Sequence, residues 1–146
     1  MTIKPLPLII TIGLTLFITS CTTYYIPVDS FKQQLPSLEK SKPLRQVTTI
    51  DPWGYKTTYS TYPIDSVKCV DKNGNPFLLK NGPSLEIRFT DNTNNKTTFY
   101  FDRVYVVRDS IIGVRSRILS LKKAIPLNTV KTIEIQDGQK KYRYVK

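Results

Sequence analysis

Residues 84–101 read SLEIRFTDNTNNKTTFYF. Leu85, Ile87 and Phe89 alternate with Glu86 and Arg88, the period of two that marks a strand with one buried face. The polar run Asp91–Lys96 then reverses the chain into Thr97–Phe101, so the stretch reads as an antiparallel hairpin. A slip of one residue would bury Glu86 and Arg88 and expose all three apolar partners, so the inward register is strongly specified.

The same signals continue on both sides. Downstream, Val104–Val107, Ile111–Val114 and Arg117–Leu121 read as three strands, with Asp109-Ser110 joining the first two. Ile125-Pro126-Leu127 leads through a tight turn at Asn128–Val130 into Lys131–Gln136, with Ile133 and Ile135 inward and Glu134 outward. Asp137-Gly138 predicts a last hairpin, into Lys141–Val145. Upstream, Ser66–Val70 and Phe77–Leu79 flank Asp71-Lys72-Asn73-Gly74, a hairpin turn whose glycine accepts positive φ. Val47–Ile50 and the Thr/Tyr-rich Tyr55–Tyr62 flank the turn Asp51-Pro52-Trp53-Gly54. Sixteen aromatics and a single alanine, Ala124, favour strands over helices. The expected fold is mainly β: a small, curled antiparallel sheet or a small barrel, spanning residues 47–146.

Ahead of it, residues 21–46 read as a flexible tether punctuated by Pro27, Pro36 and Pro43. One short helix is expected there, from about Ser30 to Leu35, with Asp29 as N-cap and Pro36 as its stop. Residues 1–20 differ again. Lys4 supplies a positive start, and Leu8–Ile18 forms an apolar run too short to cross a bilayer, which needs ~20 residues. It ends in Ile18-Thr19-Ser20-Cys21.

This ending resembles the lipobox of bacterial lipoproteins, in which a branched aliphatic and two small residues precede a cysteine. The resemblance implies that Cys21 is joined to diacylglycerol and that a signal peptidase, recognising Ile18, Thr19 and Ser20, cuts before it. Cys21 then becomes the lipid-bearing N-terminus, and two or more acyl chains hold the protein on the membrane. The stretch Phe99–Tyr144 resembles a pattern in small lipoproteins of the Bacteroidota, carried by Asp109, Ser110, Ile112 and Gly113, then Ile125-Pro126-Leu127, then Ile133-Glu134-Ile135. Tyr25–Leu35 and Asp51–Tyr55 resemble that group too. This resemblance implies a bacterial envelope location, on the outer membrane facing the periplasm, and says little about activity. The short turn before the last strands is similar to SH3-like and Sm-like barrels. The RNA-binding loop motifs of Sm proteins are not found here, and no nucleic-acid partner is expected.

Chemistry is sparse. The chain has no histidine, so a Ser-His-Asp triad, a Cys-His pair and an imidazole zinc site are all excluded. No metal or cofactor is expected, and the chain reads as a non-enzyme. Once Cys21 is lipidated, Cys69 is left alone in a strand, where a buried inert thiol is the ordinary outcome. The carboxylate pair considered for catalysis is Asp102 and Asp109, which flank Val104–Val107 and would serve an envelope hydrolase only if they met in a cleft. Trp53 with Tyr55, Tyr59 and Tyr62 forms either an aromatic platform or, as we expect, the closure of one barrel end.

The net charge is +11, and eleven Lys/Arg stand against three acids from Arg103 onward. Arg115, Arg117, Lys122, Lys123, Lys140, Lys141 and Arg143 are the candidate anion-binding residues if they share a face. Otherwise they are a solvated surface. The expected role is that of a lipid-anchored binding or structural module. Its partners are the membrane through Cys21 and either an envelope protein or an anionic glycan or lipid.

Overall fold

The computed structural model describes residues 22–145. In chain order come β1 (Thr23–Tyr25), the helix α1 (Val28–Gln34), β2 (Arg45–Ile50), β3 (Lys56–Thr61), β4 (Ser66–Val70) and β5 (Pro76–Lys80). There follow β6 (Leu85–Asp91), β7 (Lys96–Tyr100), β8 (Val104–Val107), β9 (Ser110–Ser116), β10 (Leu121–Pro126), β11 (Val130–Asp137) and β12 (Arg143–Tyr144). A six-stranded sheet has the order β5-β4-β1-β11-β6-β7, and two three-stranded sheets have the orders β10-β9-β8 and β12-β2-β3. Every pairing is antiparallel. The protein is mainly β, in open sheets, and the barrel alternative is not realised.

The hairpin that decides the fold has the expected register. Leu85, Ile87, Phe89, Ile133 and Ile135 are all at most 3% exposed. Glu86 and Arg88 lie on the other face, where Arg88 sits opposite Glu134 and pairs with it at 3.7 Å. Asp91 closes the β6–β7 turn by accepting the backbone N–H groups of Thr93 and Asn95, and Asp71 does the same for Asn73 and Asn75 in the β4–β5 turn. Side-chain hydrogen bonds from Asn75 to Asp71 and from Thr93 to Asp91, together with these backbone ones, hold both carboxyls below their ordinary range. At β9, Gly113 is required by packing: a Cβ there would lie 2.3 Å from the Phe99 ring.

The tether expected over residues 21–46 is corrected. β1 lies inside the six-stranded sheet, between β4 and β11, and Ile26 donates to Ile133 O at 2.9 Å. The helix starts at Val28 rather than Ser30, with Pro27 rather than Asp29 at the N-cap. It ends where Pro36 forbids continuation. Phe31 and Leu35, four residues apart on one face, are 0% and 1% exposed, and Phe31 meets Phe89 edge-on at 5.4 Å. Burying these side chains against the sheet outweighs the ordering of a proline-rich arm, since a buried Phe or Leu contributes about 1.5–3 kcal/mol. The boundary at residue 47 also falls, because β2 begins at Arg45.

Two further strands differ from expectation. Residues 117–120 form a turn, with Ser120 at φ 49°, and the strand runs instead from Leu121 to Pro126 beside β9. The expected 137–145 hairpin does not form. Gly138 donates to Ser84 O at 2.9 Å, Gln139 turns the chain at φ 51°, and β12 pairs with β2 in a different sheet.

Candidate functional site

Four antiparallel partners place one end of the large sheet. Thr23 stands opposite Gln136, Gln136 opposite Glu86, and Glu86 opposite Tyr100. β1 and β6 therefore start, and β11 and β7 finish, at the same end. Just past Tyr100, residues 101–103 make one 3₁₀ turn that sends Asp102 inward, where it is 2% exposed. Its Oδ1 accepts Arg117 Nη2 at 2.6 Å, and its Oδ2 accepts the hydroxyls of Tyr59 and, at 3.2 Å, Tyr144. Arg117 also donates to Pro83 O at 2.7 Å and to the Tyr59 hydroxyl at 3.2 Å. Tyrosine rings wrap the guanidinium: Tyr100 at 4.2 Å, Tyr142 at 5.0 Å and Tyr59 at 5.6 Å. A second guanidinium, that of Arg103, lies over the Tyr59 ring, 4.0 Å from its centroid.

The electrostatics follow from burial. Desolvation pushes Asp102 above its ordinary carboxyl value, against the pull of Arg117, Tyr59 and Arg103. Desolvation also works to lower Arg117, but Asp102 beside it more than offsets that and the guanidinium keeps its proton. Burial first, then the Asp102 charge, raise Tyr59 to about 12, and raise Tyr144 as well. With both oxygens of Asp102 engaged by Arg117 and two phenols, the carboxylate serves to hold four elements together.

A cleft of about 220 Å³ opens beside this cluster, between the β2–β3 turn and the β9–β10 turn. Asp51, Tyr55, Arg103, Arg117, Ile118 and Tyr142 line it. Arg103 Nε and Arg117 Nε are buried with no hydrogen-bond partner among the described residues. An array of guanidinium donors and aromatic faces suits a polar or anionic group.

The sequence candidates scatter. Ile18, Thr19, Ser20 and Cys21 lie outside the described residues. Asp102 and Asp109 do not meet: Asp109 is exposed, and the four residues of β8 between them span about 13 Å. The seven cations share no single face. Arg117 is buried in its ion pair, Lys140 bonds Glu86 and the Tyr100 hydroxyl, and Lys123 reaches Thr97 Oγ1. Lys122 and Lys123 are neighbours on one strand and point to opposite faces. Lys141 and Arg143 do share a surface hollow, with Asp51 and Pro52, while Arg115 stays exposed. Cys69 is a free, buried thiol that desolvation raises.

The aromatic expectation is corrected as well. Trp53 closes nothing; it and Tyr55 are 72% and 75% exposed, whereas Tyr59 and Tyr62 turn inward. Tyr59 was expected only as part of an aromatic platform or cap, and Tyr100, Tyr142, Tyr144 and Arg103 are the site residues that sequence reasoning missed. The available signal was an acid and an arginine directly after three aromatics, Phe99-Tyr100-Phe101-Asp102-Arg103. Among the described residues no group of His, Cys, Asp and Glu could hold a metal ion, and no helix is long and apolar enough to cross a membrane. No family model, no curated protein and no solved structure matches the chain.

Proposed function

We propose that this protein is a lipoprotein of the bacterial cell envelope, anchored through Cys21 to the outer membrane and facing the periplasm, and that its β-domain is a non-catalytic binding module. The observation that carries the reading is Ile18-Thr19-Ser20-Cys21 after a short apolar run and a single Lys4. The resemblance to small Bacteroidota lipoproteins supports the same location. The binding role is supported by the cleft of about 220 Å³, whose walls offer guanidinium donors and aromatic faces. A hydrolase working through Asp102 and Asp109 has less support, because the first is buried in an ion pair and the second is exposed beyond β8. Native protein extracted from membranes should carry a diacylglyceryl-modified Cys21 as its first residue by mass spectrometry, and Cys21→Ser should accumulate uncleaved. An intact Met1 on the membrane-extracted wild type defeats the lipoprotein reading.

A further inference from the structure

The four most exposed large apolar side chains among the described residues sit on two neighbouring turns. Ile118 (79%) and Leu119 (68%) occupy the β9–β10 turn, and Tyr55 (75%) and Trp53 (72%) the β2–β3 turn. Tyr55 and Ile118 line the same cleft, so the two tips lie side by side. Single exposed apolar residues are common on proteins, but a cluster of this size marks an interaction surface.

Each tip has a basic collar close behind it. Ile50 stands opposite both Lys56 and Arg143, directly behind the Trp53 turn, and all three of Lys56, Lys141 and Arg143 around that turn's base are exposed. Behind Ile118 and Leu119 come Arg115 and Lys122, both exposed. The carboxylates of this region are engaged locally. Asp51 accepts the N–H groups of Trp53 and Tyr55, Asp137 that of Gln139, and Glu86 binds Lys140 at 2.5 Å. Apolar and aromatic tips with a collar of long cations are the arrangement that enters a headgroup layer: the rings and aliphatic chains go in, and the ammonium and guanidinium groups stay at the phosphates.

The tips are also tied to the end of the domain from which Cys21 is reached. Arg117, which starts the β9–β10 turn, bonds Pro83 O and Asp102, and both lie at the end of the large sheet where β1 begins. Thr23 is two residues from Cys21, a reach of at most about 7 Å. A headgroup layer is about 5–7 Å deep on each side of a bilayer. A lipid on Cys21 thus holds this end of the domain against the membrane, with no spacer to lift it clear.

We propose that the Trp53 and Ile118–Leu119 tips dock into an anionic bilayer, with Lys56, Arg115, Lys122, Lys141 and Arg143 at its phosphates. The orientation rests on the lipid-anchor reading above, whereas the docking chemistry rests on the tips themselves. Trp53 is the chain's one tryptophan and reports the contact directly. Membrane-extracted protein, with its Cys21 mass measured separately, is mixed into vesicles of phosphatidylglycerol and phosphatidylethanolamine, or of phosphatidylcholine alone, containing a headgroup spin-labelled lipid. In anionic vesicles Trp53 emission should shift to shorter wavelength and be quenched at least about twofold, and Lys141→Gln with Arg143→Gln should return it toward the phosphatidylcholine value. A lipid-bearing chain whose Trp53 emits as in water, unquenched, overturns the docking and leaves the anchor standing. If Cys21 carries no lipid, the anchor falls. Trp53 quenching by anionic vesicles added to that chain then still supports docking, and its absence overturns it.

Discussion

The apolar side chains beneath α1 and the Asp102–Arg117 pair are both buried, and the two regions are built from opposite materials. Under the helix, Phe31, Leu35, Phe89 and Ile133 belong to one hydrophobic cluster, each at most 1% exposed. Around Asp102, a carboxylate, a guanidinium and four phenols fill a similar role through directed bonds. The difference is one of tolerance. Apolar contacts weaken in proportion to the area lost, but a buried ion pair that loses one partner leaves a charge with nothing to answer it.

The largest expected effect comes from putting a charge into the apolar half. Ile87→Asp, at 0% exposure, should abolish cooperative unfolding, while Glu86→Gln, on the other face, should shift the denaturant midpoint only slightly. Similar effects from the two would undo the alternation argument. Phe31→Ala follows, with a loss of about 3–5 kcal/mol in chemical denaturation. A loss below about 1 kcal/mol would return α1 to the status of a dispensable arm.

Around Asp102 the sharper test is a pair. Arg117→Met alone should cost about 3–5 kcal/mol, and Asp102→Leu with Arg117→Met together should cost much less than that single change. Additive losses would mean that the two groups do not act as one unit. A smaller, pH-dependent effect belongs to Tyr59. Its folded value is raised to about 12 from an ordinary 10.0, so the folded state holds that proton more tightly than the unfolded chain. The stabilisation is complete below about pH 10 and is lost as pH climbs through about 12. Denaturation at pH 9 and pH 11.5 should show the decline, and Tyr59→Phe should flatten it. The smallest effect is Glu134→Gln, whose pair with Arg88 is partly exposed on both sides. A loss of about 0.2–1 kcal/mol is expected.

The two regions also differ in how far the sequence discloses them. Period-two alternation is a local signal, so Leu85–Phe89 and Ile133–Ile135 were readable with their register. β1 is three residues long and follows no alternation of its own; it is a strand because β4 and β11 present free edges to it. Nothing local in Thr23-Tyr24-Tyr25 carries that information. Asp102 is worse still, since its burial depends on Tyr59 and Tyr144, forty-three and forty-two residues away. The Asp137-Gly138 turn misled for a related reason. It has hairpin chemistry, but Gly138 is spent on Ser84 and the chain leaves for another sheet.

The central claim is that the chain joins the core from Thr23 onward, so that a lipid on Cys21, as proposed, leaves no tether between anchor and fold. Amide hydrogen exchange at Ile26 reads it directly, because that N–H is committed to Ile133 O at 2.9 Å and breaks free only when β1 leaves the sheet. The account predicts that Ile26 in the membrane-extracted protein exchanges as slowly as the amides of β6 and β11, at the rate of global unfolding. Exchange within seconds, while β6 and β11 stay protected, would show that residues 22–27 are a loose arm and would contradict the account.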